Sequence, residues 1–90
     1  GFALETAETV VMGLRLAEGV RLDRFKFRFG VELLDIYGEV FHEVENYDLI
    51  EQIGHGSDTR IVLTPHGKLL GNEVFWRIID FAQSNPNLVV

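Results

Sequence analysis

The chain has three histidines, His42, His55 and His66, and no cysteine. Metal chemistry within it would have to come from imidazoles and carboxylates, and disulfides and iron–sulfur ligation are excluded. Glu39-Val40-Phe41-His42 has the Glu-x-x-His spacing of one half of a di-iron site. Such sites need a second copy and two further Glu from other helices, and one copy is present. His42-Glu43-Val44-Glu45-Asn46 falls one ligand short of the zinc-protease pattern, with Asn46 where the second His belongs. A solvated helix face explains both better. His55, between Gly54 and Gly56, reads as an exposed turn residue; the sharper alternative is axial ligation of a haem iron. His66, at the start of the last helical stretch, reads as structural. Gly54-His55-Gly56 is too short to cradle a phosphate, and Gly67-Lys68 lacks the preceding glycine of a Walker loop. Ser57 and Ser84 fall in expected loops with no nucleophile-elbow context. The residues therefore predict no catalytic group, no metal ligand set and no cofactor held by this chain.

Arg15 is the other residue that stands out, because it interrupts an apolar stretch between Leu14 and Leu16. One reading pairs it with Glu18, three residues on. The other sends its guanidinium to a carboxylate outside the domain, which it can bind bidentately.

The elements that must position these residues follow from apolar spacing. Leu4, Ala7, Val10, Val11 and Leu14 predict a helix over about 4–16, with Gly19 as its stop. Leu22, Phe25 and Phe29 make a second, short stripe ended by Gly30. Leu33, Tyr37, Val40, Phe41, Val44 and Tyr47 make the longest stripe, with Gly38 inside it as a kink or a place of close helix packing. Residues 49–53 and 59–63 flank a Gly-rich turn and predict a β-hairpin. Thr64-Pro65 has the N-cap and first-position residues of a helix, expected to run from Pro65 to about Ala82. The fold class expected is mainly α with a small β-hairpin, a winged-helix-like α-α-α-β-β-α order. Residues 1–83 form one domain and 84–90, around Pro86, a flexible tail. In the last helix Leu69, Phe75 and Trp76 fall off the main stripe of Leu70, Val74, Ile78 and Phe81, which marks them as a docking face.

Ninety residues bury roughly 60–65% of their unfolded surface, enough for one modest core. No apolar run approaches the ~20 residues needed to span a bilayer, and no signal-peptide pattern opens the chain. A start on Gly1 reads as an excised fragment or a processed product. A cytoplasmic setting is expected. The net charge is −6 and the pI about 4.9, the wrong sign for neutralising phosphates. The third helix, which would enter the major groove of DNA, carries Glu32, Asp35, Glu39, Glu43 and Glu45 and no Lys or Arg. The hairpin offers Arg60, offset by Asp58. Nucleic acid is not an expected partner. Arg21, Arg24, Lys26 and Arg28, half of the eight basic residues, cluster around the second helix. With the apolar excess of the last helix, they motivate an alternative: a freestanding protein-interaction module that binds a partner or dimerises.

Three pieces of sequence appear in a recognisable order. Met12-Gly13-Leu14-Arg15-Leu16 is followed by Glu18-Gly19-Val20. Phe25 to Gly30 forms the short helix ending in Phe-Gly. Leu63-Thr64-Pro65-His66-Gly67-Lys68-Leu69-Leu70 precedes Asn72-Glu73-Val74. In these the chain resembles the C-terminal domain of oxygen-independent coproporphyrinogen III oxidases and their haem-chaperone relatives. Arg21 stands where that family usually has an acidic residue, and Asp48 where it usually has Gly; the hairpin turn is also longer. The resemblance implies a radical-SAM parent whose barrel holds a 4Fe–4S cluster and S-adenosylmethionine, with porphyrin or haem as substrate or cargo. It implies that the present domain packs on the upstream barrel of the same polypeptide and gates the porphyrin site, without activity of its own. Oxidase and haem chaperone both remain open. Arg15, Glu18, Leu69, Phe75 and Trp76 are the candidate contacts with barrel or porphyrin, Arg15 through a porphyrin carboxylate.

Overall fold

Apolar residues at helical spacing near the N-terminus form α1 (Phe2–Leu14), which buries Ala3, Ala7, Val10, Val11 and Leu14. In the computed structural model, which describes residues 1–87, the chain continues as β1 (Val20–Arg21), α2 (Leu22–Phe29), α3 (Leu33–Asn46), β2 (Ile50–Ile53), a 3₁₀ turn (Gly56–Asp58), β3 (Arg60–Leu63), α4 (Pro65–Leu69) and α5 (Gly71–Ser84). The α-rich class with a β-hairpin is as the sequence predicts. Two departures have clear causes.

The first is a third strand. β1 pairs antiparallel with β3, Val20 opposite Ile61 and Arg21 opposite Arg60, and β2 flanks the other side of β3. Gly19 is therefore no simple helix stop: α1 ends at Leu14, and Gly19 turns the chain into β1 with φ 76°. A Cβ there would strike the Ile61 carbonyl oxygen and come within 2.6 Å of Val62 Cγ1. The hairpin thus gains a third strand and rests on helices, which a lone two-stranded ribbon would need for stability.

The second is a break in the last helix. The helix predicted from Pro65 to Ala82 is interrupted at Leu70 (φ −116°, ψ 34°) and restarts at Gly71. Glycine propagates a helix poorly. The bend lets α4 hold the corner after β3 while α5 packs Val74, Ile78 and Ala82 into the core, chiefly against α1.

The corner itself is tightly specified. Thr64 Oγ1 accepts from the Gly67 N–H at 2.9 Å and donates to the Asp48 carbonyl at 2.6 Å, while the Thr64 N–H donates to the Leu49 carbonyl at 3.1 Å. Asp48 takes the left-handed conformation (φ 62°), which Asp tolerates better than most residues. Gly67 lies against the Leu49 backbone, and a Cβ would overlap its carbonyl.

α3 runs unbroken through Gly38, and nothing among the described residues lies within 4 Å of where a Cβ would sit; close helix packing within this chain does not account for that glycine. Inside the core, Tyr37 is fully buried and its hydroxyl meets Thr6 Oγ1 at 2.7 Å. Thr6 donates to the Ala3 carbonyl at 2.8 Å, so a short polar chain ties α3 to α1. Burial raises the Tyr37 pKa above its ordinary value of 10.0, against the opposing hydrogen bond with Thr6. At the C-terminus, Ser84 closes α5 and Asn85 Nδ2 donates to the Phe81 carbonyl at 2.8 Å. Of the expected tail, residues 88–90 lie outside the described residues. No described helix is long and apolar enough to cross a membrane.

Candidate functional site

The turn that ends α1 positions Arg15. Residues 15–18 have left the helix, so Arg15 does not pair with Glu18; its guanidinium lies over the Phe75 ring, 5.0 Å from the centroid. Beside it opens a cavity of about 430 Å³ between this turn, the outer face of the sheet and α4. Leu14, Leu16, Ala17, Ile53, Val62 and Leu63 supply apolar walls, and Arg15, Lys68 and Glu51 the charges. The register explains the lining. Val62 stands opposite Glu51, and Arg60 opposite Ile53 and Arg21. Residues directly opposite share a face, and Ile61 takes the core face of β3. Arg60 and Val62 therefore project from the outer face. Arg60 Nε is buried with no hydrogen-bond partner among the described residues.

Five of the eight cations make no ion pair among the described residues: Arg15, Arg24, Arg28, Arg60 and Lys68. Arg21 is held by Asp23 at 2.9 Å and Asp58 at 3.6 Å. The hydrogen bond from Arg21 holds the Asp23 carboxyl below its ordinary range and raises the arginine in turn. Asp23 also accepts from the Arg24 N–H at 2.8 Å, which puts a carboxylate at the first turn of α2 although Arg21 occupies the cap. Lys26 reaches Glu32 at 2.7 Å, with its pKa raised by that bond, so the basic second helix does pair with the start of the acidic third. Arg77 bridges Glu43 and Glu73.

The five candidate contact residues do not converge. Arg15 and Phe75 meet. Leu69, 85% exposed on α4, is the neighbour of the cavity residue Lys68. Glu18 lines a second groove, between α1 and α2. Trp76 faces a recess bordered by Val40, Glu43 and Phe81, with Arg77 over its ring at 4.7 Å. Phe75 and Trp76 are adjacent in sequence but about 100° apart around α5, so one docking face cannot hold both centrally. The sequence reading missed Arg60, Val62 and Lys68. The alternation Arg60-Ile61-Val62-Leu63 carried the signal for the first two, once Ile61 is assigned to the core.

His42, His55 and His66 are exposed on separate elements. No cluster of three or more potential metal ligands occurs among the described residues. The trough is mixed in character: apolar walls, two cations without ion pairs among the described residues (Arg15 and Lys68) and one carboxylate, Glu51.

Residues 5–70 match the HemN C-terminal domain. The chain belongs to that family. This HemN C-terminal domain is also 38% identical over 68 residues to the heme chaperone HemW of Bacillus subtilis (strain 168). The match takes in 76% of the present chain and 17% of HemW, so the chain spans about a sixth of that relative's length. No solved structure matches the chain. The matched region runs from α1 through α4 and includes Arg15, Arg60 and Lys68.

Proposed function

We propose that this domain is the C-terminal accessory module of a radical-SAM protein of the haem-chaperone or coproporphyrinogen-oxidase type. In this reading it packs on the barrel of the same polypeptide and gates the porphyrin site in the cytoplasm. One observation carries the reading: within a region that matches the HemN C-terminal domain, a trough with apolar walls carries Arg15 and Lys68 along with Glu51, and Arg60 lies on the same face of the sheet; none of these three cations is ion-paired among the described residues. Porphyrins are flat, apolar and edged with carboxylates, and guanidinium–carboxylate pairs are strong and directional. The chain has no cysteine, so cluster ligands would belong to another segment. No histidine lines the trough, which supports contact with a macrocycle edge and its carboxylates rather than ligation of iron.

The test is haem retention by the full-length protein after desalting, read from the Soret absorbance. Arg15→Ala is expected to lower retention about tenfold, the loss of one good charge-assisted contact, while the domain stays folded. Full retention by a folded variant would overturn the role given to Arg15. The isolated domain is expected to produce no decarboxylation when supplied with coproporphyrinogen, S-adenosylmethionine and reductant. Robust turnover would refute the accessory role.

A further inference from the structure

A second groove lies on the other flank of Leu16, walled by Thr9, Gly13 and Leu16 of α1 and its end, by Arg21 of β1, and by Arg24, Phe25 and Arg28 of α2. Its floor is apolar, with Phe25 and Val20 buried beneath it. The four cations around α2 divide sharply. Arg21 and Lys26 are neutralised by carboxylates. Arg24 and Arg28, one turn apart, have no acidic partner among the described residues, and both line this groove. Arg28 is already held in place: its guanidinium donates to Thr9 Oγ1 at 3.2 Å and lies over the Phe29 ring at 4.8 Å. Glu18 lines one end and pairs with neither arginine. On a chain of net charge −6, two guanidinium groups without acidic partners among the described residues, one of them anchored, beside an apolar floor point to an acidic ligand with an apolar anchor.

Size selects the class of ligand. The cavity is about 250 Å³, below the roughly 300–1,000 Å³ of sites that enclose a whole cofactor or drug-sized molecule. It fits one large apolar side chain. Next to Gly13, Met12 is exposed on α1; Phe27, outside the groove lining, is 93% exposed on α2. Aromatic, Met and Arg side chains of this kind are enriched at protein contacts. We infer that the α1–α2 groove binds an acidic amphipathic segment of a protein, one apolar residue entering between the helices and flanking carboxylates pairing with Arg24 and Arg28. The mode is a helix or strand laid along a groove between helices. It goes beyond the porphyrin reading and involves different cations, so failure at Arg15 leaves it standing.

The experiment is a heteronuclear NMR titration of the 90-residue chain with a short synthetic peptide of leucines spaced among aspartates and glutamates. Saturable shifts are expected at Thr9, Gly13, Leu16, Arg24 and Arg28, weakening with salt. An otherwise identical peptide with glutamine for each acid is expected to bind about tenfold more weakly, as is the acidic peptide with the Arg24→Glu, Arg28→Glu variant. A dispersed spectrum verifies that this surface variant is folded, and Lys68→Glu, on the other trough, should bind normally. The inference is overturned by absence of saturable shifts, by shifts that map elsewhere, or by a Lys68→Glu variant that weakens binding equally. Binding to phosphatidylglycerol vesicles by a chain that ignores the peptide would also overturn it, in favour of a lipid surface.

Discussion

At the scale of single residues, the motif that identifies this domain is mostly structural. Thr64 caps α4 and also fastens the Asp48–Leu49 turn, while Gly67 leaves room for the Leu49 carbonyl. Gly67→Ala is expected to cost about 2–3 kcal/mol through overpacking against backbone, and Thr64→Ala about 1–2 kcal/mol. Both are measured as shifts in the urea midpoint at unchanged slope. The sequence showed Thr64-Pro65 as a helix start because the signal is local. It did not show why Gly67 is glycine, since the atom it avoids is far away in the chain. Tyr37 was legible as core, but its bond to Thr6 was not, since an apolar stripe does not say which polar atoms meet. Tyr37→Phe should lose about 1 kcal/mol. The raised Tyr37 pKa means that the fold holds this proton more tightly than the unfolded chain does. Its stabilisation is therefore full below pH 10 and declines as the pH rises from the ordinary tyrosine value through the raised one. Thermal melts at about pH 9 and about pH 11 should show that decline in the wild type and a smaller one in Tyr37→Phe.

At the scale of elements, α2, α3 and the hairpin appeared where apolar spacing placed them, and the errors lie where tertiary pairing decides. β1 is two residues long, too short to show any periodicity, and exists because β3 offers it an edge. The break at Leu70 was hidden because the apolar stripe continues in phase across it. Gly38 shows the opposite error. A glycine inside a helix invited a packing explanation, and the structure leaves open space there. Gly38→Ala is accordingly expected to stabilise the domain by roughly 0.5–1 kcal/mol, the difference in helix propensity, seen as a higher urea midpoint. A destabilised variant would overturn the reading of Gly38 as an uncrowded helix position.

At the scale of the whole molecule, the fold presents two troughs that meet at Leu16 and share no cation. On the readings proposed above, one would take a flat polycarboxylate and the other an acidic segment. The family was legible from motifs because those motifs build the α1–β1 turn and the β3–α4 corner, the two joints that fix the topology. The troughs were not legible, since each assembles side chains from elements distant in sequence. The three-stranded sheet has one more consequence. β3 is an interior strand only because a two-residue strand from the far end of the chain lies along one of its sides. If β1 detaches, that side becomes a row of unsatisfied amides and carbonyls beside Arg60 and Ile61, a template for any passing chain. Proteolytic nicking just after Arg21, which frees α1 together with β1, should therefore show itself first as light scattering rather than as loss of helical signal, because β1 covers the edge of β3 against self-association.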